Sequence, residues 1–331
     1  MKKSIYLLGL LLLVACANDD EPTGQQVQNT YPLTIEVTEN PLIPDGEEGS
    51  STRAAIVTTS SFDKFYLNYK YDDYYPNDEQ DKQTITKTSE IWSGGGWPND
   101  ARTAPDTKVA WYAYTAGTFN WTEGNPKNPY VHFTVEELAT NQKDLLVAKL
   151  TNKTWNNCGG NLNFTFDHAC AALRFLVKKA KNLDDYTLSI SPSNEISIKL
   201  FNVVKEGKYY FDKTPSWELV NNGSSYTLYS GSFNNLSSDE YTELTQGTGP
   251  YLFIIPQILT AWNHSGNPAN TYIELNCSIS KSEFSYSGKA YIPFGATLEA
   301  GKKYDVKINI GMNSLYKVEN NTASLIIPQN S

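Results

Sequence analysis

LNFTFDHACAALRFLVKKA, from Leu162 to Ala180, decides the class of fold. Phe164 and Phe166 sit two residues apart and share a face, as side chains do on a strand. Leu173, Phe175 and Val177 also share a face, but with the opposite parity. Side chains on a strand repeat every two residues, so an odd shift needs a bulge, a corner or a helical turn between Asp167 and Ala172. The stretch reads as two strands joined by a tight corner.

The same period recurs on both sides. Upstream, KVAWYAYTA (Lys108 to Ala116), YVHFTVEEL (Tyr130 to Leu138) and KDLLVAKL (Lys143 to Leu150) are strands, the first two rich in aromatic and β-branched residues. FDKFYLNYK (Phe62 to Lys70) alternates less regularly. Downstream come YTLSIS, ISIKLF, GKYYF, SYTLYS, TYIELNCSIS, FSYSGKAYIPF and KKYDVKINIG, separated by turn signals such as KEGK, NNGSS and EAGKK. YLFIIPQ is apolar from Tyr251 to Ile255, which suits a strand buried on both faces, and Pro256 ends it. Apart from a turn near Val135 to Thr140, no stretch has helical period, and no period of 20 to 50 residues repeats. The pattern predicts an all-β chain built as two tandem β-sandwiches, residues 54–181 and 182–331, dividing near residue 180.

The N-terminal part is organised differently. MKKSIYLLGLLLLVAC has a basic start, an apolar core from Ile5 to Val14, then Ala15 and Cys16. An apolar run of about 10 residues spans about 15 Å, half of a bilayer core, so it reads as a signal peptide over residues 1–15. LVAC is also a lipobox, in which the Cys16 thiol takes a diacylglycerol; two or more acyl chains anchor a protein stably. ANDDE follows, either an ordinary solvated linker or an acidic tag that resembles the surface-export signal of Bacteroides-type lipoproteins. Residues 16–53 form a pro-segment. Within it YPLTIEVTE (Tyr31 to Glu39) alternates, with Leu33, Ile35 and Val37 facing one way and Thr34, Glu36 and Thr38 the other. NPLIPDGEEGSST is a Pro- and Gly-rich linker. Arg53, one of only three arginines in the chain, stands at its end before Ala54. A single strand over residues 31–38 therefore precedes the main body on a severable tether.

Little in the sequence speaks for chemistry. The formal net charge is −9 and no Lys/Arg stripe interleaves with aromatics, which argues against nucleic acid. No G-x-S-x-G, Walker loop, H-E-x-x-H or C-x-x-C occurs. His132, His168 and His264 read as packed or surface side chains. Cys158, His168 and Cys170 lack zinc spacing. Cys158 and Cys170 could pair, but buried free thiols are the expected state of Cys158, Cys170 and Cys277. YDDYYPNDEQDK reads as a solvated hairpin. No enzyme activity, cofactor or metal is expected. Trp92, Trp97, Trp121, Trp155 and Trp262 lie in turn-rich stretches, so a second function class is a surface lipoprotein that stacks glycans on exposed aromatics. The alternative is that these rings cap the ends of the sandwiches.

Three stretches together resemble the fimbrillin-like proteins, the type V pilins of Bacteroides-type bacteria. The first is the lipobox with its tether and TRA. The second is NFTFDHACAALRFLV, similar to the family's core strand pair through Phe166, His168, Ala171, Leu173, Phe175 and Val177. The third is PFGATLEAGKKYDVKINIG after an IIPQ strand, similar to the C-terminal strand through Gly301, Lys302, Tyr304, Val306 and Ile308. The resemblance implies transthyretin-like sandwiches and a structural, adhesive subunit of a surface fimbria. It implies lipidation at Cys16, transport to the outer membrane, and cleavage between Arg53 and Ala54 by an Arg-specific surface protease. The strand carrying Leu33, Ile35 and Val37 would then leave a groove for a donor strand of another pilin subunit, and the fimbria would meet a host or bacterial surface receptor. The tail TASLIIPQNS holds Leu325, Ile326 and Ile327, and its segment 323–328 is either that donor or a strand of its own domain. Arg102, in a polar loop, competes with Arg53 for the protease, but a cut there would split the first domain.

Overall fold

A computed structural model of the chain describes residues 31–44, 62–71, 82–123, 127–190, 196–220, 223–230, 232–244 and 251–327. These are nearly all β, with short helical turns such as α1 (Asn99–Thr103). In chain order the principal strands begin with β1 (Thr34–Glu39), β2 (Ile43–Pro44), β3 (Lys64–Tyr71), β4 (Gln83–Thr88) and β5 (Ile91–Ser93). Next come β6 (Val109–Tyr114), β7 (Thr118–Trp121), β8 (Pro129–Thr134), β9 (Leu146–Lys153), β10 (Asn161–His168) and β11 (Ala171–Lys179). The second half contributes β12 (Ile196–Val203), β13 (Glu206–Tyr210), β14 (Trp217–Leu219), β15 (Ser224–Ser230) and β16 (Leu252–Ile254). The series ends with β17 (Tyr272–Lys281), β18 (Phe284–Pro293), β19 (Lys302–Ile310), β20 (Tyr316–Glu319) and β21 (Thr322–Leu325).

Seven strands from the first half close into a barrel in the order β9-β10-β1-β5-β4-β3-β6. The sandwich-like layers are those expected, and the closure of this sheet into a barrel depends on β1. β1 fills the gap between β10 and β5, so no edge remains. Its interior is aromatic: Phe65, Trp97, Trp111, Phe164 and Phe166 are fully or almost fully buried together with Leu67, Ile85 and Leu162. In β10 burial alternates strictly, with Leu162, Phe164, Phe166 and His168 inside.

The odd shift between Phe166 and Leu173 is a sheet change. After the corner at Ala169 and Cys170, β11 buries Ala171, Leu173, Phe175 and Val177 in a second core. There it pairs in parallel with β19, Leu173 opposite Tyr304 and Val177 opposite Ile308, and antiparallel with β16. Across from it lies the sheet β15-β12-β17-β18-β20-β21. A third sheet, β14-β13-β8-β7, joins a hairpin from the first half to one from the second. The second core accordingly draws on Phe119 and Val131 as well as Leu275 and Ile327, from both sides of the expected division at residues 181 and 182. The chain passes between cores at the 169–170 corner, because the parity change there turns the apolar face of β11 away from the barrel.

Candidate functional site

The site is built on β1. Thr34, Ile35, Val37 and Thr38 are β-branched and stiff at χ1, which suits a pleated strand. Pro41 and Pro44 follow closely, and neither can donate to a ladder, so regular pairing stops soon after Glu39. β1 runs parallel to β10, with Ile35 opposite Leu162, Val37 opposite Phe164 and Glu39 opposite Phe166. On its other side a single antiparallel register pair joins Ile35 to Trp92. The alternation sends Leu33 and Ile35 into the barrel core at 8% and 6% exposure, and Val37 packs against the same cluster. Glu36 and Thr38 face out, where Thr38 Oγ1 hydrogen bonds Thr165 Oγ1 at 3.0 Å.

Both ends of the strand are tied. The Thr34 amide donates to Gly160 O at 3.1 Å, and Tyr31 and Pro32 pair with Trp97 and Gly96. The Asn40 amide donates to Phe166 O at 2.8 Å, and Asn40 Nδ2 to Asp167 Oδ1 at 2.6 Å. Leu42 is buried, and β2 then pairs in parallel with Lys302 and Lys303 at the start of β19. Residues 31–44 thus touch both halves of the molecule. The Phe62 ring, just ahead of β3, packs 5.1 Å from Phe166 and 5.4 Å from Trp92. Cys16, Arg53 and Ala54 lie outside the described residues, as does most of the acidic stretch after Tyr71 expected to form a hairpin.

One feature of this strand is not apolar. Glu39 continues the inward row of Leu33, Ile35 and Val37, and His168 continues that of Leu162, Phe164 and Phe166. They meet at one end of the barrel: His168 Nε2 lies 3.1 Å from Glu39 Oε1, while Nδ1 bonds Asp144 Oδ2. The His168 and Asp144 side chains are almost wholly buried. Burial alone favours a neutral imidazole, but hydrogen bonds and charge from Asp144 and Glu39 outweigh it and push His168 up to about 9. The imidazole therefore carries its proton at neutral pH and donates from both nitrogens. Burial also raises the Asp144 carboxyl, against the pull of His168. Asp144 Oδ1 is buried with no hydrogen-bond partner among the described residues. Cys170, nearby at the corner, is held well above the ordinary thiol range by burial and by Asp144, so it stays protonated and is a poor nucleophile.

The other sequence candidates fall in distinct places. Leu325 pairs with Tyr316 in the β20–β21 hairpin, and Ile326 and Ile327 are buried in the second core, so the tail lies on its own domain as far as residue 327. Arg102 sits in α1 with its guanidinium 5.2 Å from the Trp155 ring, and Arg174 is in β11, paired with Asp305. The three described cysteines are free thiols. His132 Nε2 is 2.8 Å from Glu206 Oε1, and His264 Nδ1 is 2.7 Å from the Tyr316 hydroxyl. Among the described residues, the five candidate tryptophans form no exposed platform for a glycan. Trp97 and Trp262 are buried, and Trp92, Trp121 and Trp155 are half-buried against the cores, because in a chain this rich in rings the tryptophans complete the packing. No group of three or more His, Cys, Asp or Glu side chains among the described residues is arranged to hold a metal ion.

Sequence reading missed the Asp144–His168–Glu39 cluster. The parity of His168 and of Glu39 was a usable signal, since both extend inward-facing apolar rows. Nothing local marks Asp144.

Comparison with known proteins gives one family and a set of similar folds. The model of a family described as fimbrillin-like matches residues 52–324. A fimbrial protein from Bacteroides vulgatus is 16% identical, with 89% of this chain and 99% of that chain covered at a TM-score of 0.57. A fimbrial assembly protein from Parabacteroides distasonis is 11% identical, with 89% and 98% covered at 0.39. No curated protein sequence matches the chain.

Proposed function

The chain belongs to the fimbrillin-like family, and we propose that β1 is a provisional wall of its barrel, removed when the subunit joins a surface fimbria. In this reading the precursor is lipidated at Cys16, carried to the outer membrane and displayed at the cell surface. An Arg-specific surface protease cuts between Arg53 and Ala54. β1 leaves, the barrel opens between β10 and β5, and a strand of another subunit closes it again. The mature chain, from Ala54 onward, is a structural, non-enzymatic subunit that serves adhesion to a host or bacterial receptor. Its own tail, with Leu325, Ile326 and Ile327, is the donor for the next subunit only if it first leaves the β20–β21 hairpin and the second core.

The observation that carries this reading is the position of β1. It supplies one wall of a closed barrel, yet it lies upstream of Arg53, while every other barrel strand lies downstream. A cut after Arg53 leaves the described contacts of β1 in place. It turns an intramolecular fit into a bimolecular one. With an effective concentration of the order of 1 mM for the tethered strand, release at about 1 μM weakens the hold roughly 1,000-fold, about 4 kcal/mol. The vacated slot would expose unpaired backbone on β10 and an aromatic floor, which is a template for strand addition. Arg102 and Arg174 are poorer substrates, one in a helix against Trp155 and the other mid-sheet.

The test is to treat the purified precursor, starting after Cys16, with an Arg-specific protease and to read the new N-terminus. A single new N-terminus at Ala54, detergent-resistant ladders, and loss of both in Arg53→Gln support the reading. Resistance at Arg53, or equal cutting after Arg102, overturns it. Cutting at Ala54 without ladders supports the processing step but rejects self-donation.

A further inference from the structure

The inward row of β1 ends in a charge, and that charge has a fixed partner. Glu39 approaches a histidine whose other nitrogen is taken by a buried aspartate. Around His168 the ionisable groups are few. β1 brings Glu39, the turn before β9 brings Asp144, and the corner brings the Cys170 thiol. Asp167, next along β10, faces outward to Asn40. Only Glu39 belongs to the segment upstream of Arg53; His168 and Asp144 stay in the barrel.

We propose that His168 and Asp144 form a charge reader at the end of the strand slot, which accepts an extended segment that presents a carboxylate in the position of Glu39 and discriminates against one that presents an apolar side chain there. The proposal rests on the reading above, in which one strand replaces another, and it names the chemistry of the replacement. The occupant is a strand of another subunit with alternating inward apolar residues and an Asp or Glu on the same face, the second residue beyond the last of them. The reason is hydrogen-bond accounting. His168 Nε2–H points into the slot and is buried there. An apolar residue in its place leaves that donor covered and unpaired, and an unpaired buried donor on a charged group is expensive. Asp144 cannot serve both nitrogens, since it holds Nδ1 from the other side of the ring. The tail of this chain, residues 322–331, contains no Asp or Glu side chain. A different subunit, with an acidic strand, therefore fits the slot better than residues 322–331 of a second copy of this chain.

The experiment uses the uncut chain, so it does not depend on cleavage or polymerisation, and its outcome is separate from the protease test. Hydrogen exchange of the β1 amides is followed by mass spectrometry in the wild type, Glu39→Leu, Glu39→Gln and Glu36→Leu. Glu36 loses the same charge from the outward face. The expected result is exchange roughly 10- to 100-fold faster in Glu39→Leu, an intermediate rate in Glu39→Gln, which keeps an acceptor, and no change in Glu36→Leu. A double variant, His168→Leu with Asp144→Leu, removes the reader; in that background Glu39→Leu is expected to change exchange by less than about 3-fold. Equal rates in Glu39→Leu and Glu36→Leu, or the same effect of Glu39→Leu with and without His168 and Asp144, would overturn the proposal.

Discussion

Truncating Ile35 to alanine tests how firmly β1 is built into the barrel. Ile35 is 6% exposed, lies opposite Leu162 on one side and Trp92 on the other, and points into the same core as Phe65 and Phe164. Loss of a well-buried Ile side chain costs about 2–5 kcal/mol, the transfer of the removed carbons plus the cavity they leave. β1 is joined to β5 by one register pair and can shift to fill part of that cavity. The expected loss is therefore near the lower end, about 2–3 kcal/mol. The assay is urea denaturation read by tryptophan fluorescence, because Trp92 and Trp97 flank the segment. With a slope of about 2–3 kcal/mol per molar urea, the barrel midpoint should fall by about 1 M. Glu36→Ala, one residue away on the outward face, should stay within about 0.5 kcal/mol of the wild type. A midpoint for Ile35→Ala no lower than that of Glu36→Ala would refute the claim that this strand is part of the barrel wall.

Three further outcomes follow from the same geometry. His168 is held at about 9 against an ordinary 6.5, so its contribution to stability is full below pH 6.5 and is lost as pH rises from there through 9. Denaturation across that window should show a fall of up to about 3 kcal/mol in the wild type, and a flat profile in His168→Asn. Trp217 Nε1 donates to Ala169 O at 2.7 Å and pins the corner between the two cores, so Trp217→Phe should cost about 1–2 kcal/mol in thermal or urea unfolding. The free thiols should be distinguishable with a thiol reagent: half-buried Cys158 reacts in the native protein, whereas Cys170 and Cys277, buried and with Cys277 pushed up to about 12, react only on unfolding.

Local period carried a good deal of this structure. The alternation in residues 31–39 and the parity change between Phe166 and Leu173 are visible in the bare sequence, and each marks a real feature, an inward apolar row and a passage from one sheet to another. What local period cannot carry is the identity of a partner across a sheet. Nothing near Ile35 says that Leu162 lies beside it in parallel and Trp92 on the other side, and barrel closure follows from those two pairings. The same limit hid the β14-β13-β8-β7 sheet, in which hairpins from both halves join and erase a clean division near residue 181. It also hid Asp144, which reaches His168 only because β9 and β10 pair with Leu146 opposite His168. The tryptophans misled for a different reason. Turn-rich surroundings suggested exposure, but the rings fold back over the cores.

If β1 is a wall that can be exchanged once its tether is cut, the exchange itself can be weighed. The most direct measurement adds an excess of an isotope-labelled peptide spanning residues 31–44 to the precursor, before and after cleavage at Arg53, and weighs the complex by native mass spectrometry. Exchange of β1 predicts that the cut protein takes up the labelled peptide in place of its own segment and that the uncut protein does not. A cut protein that keeps its original segment and takes up no label would contradict it.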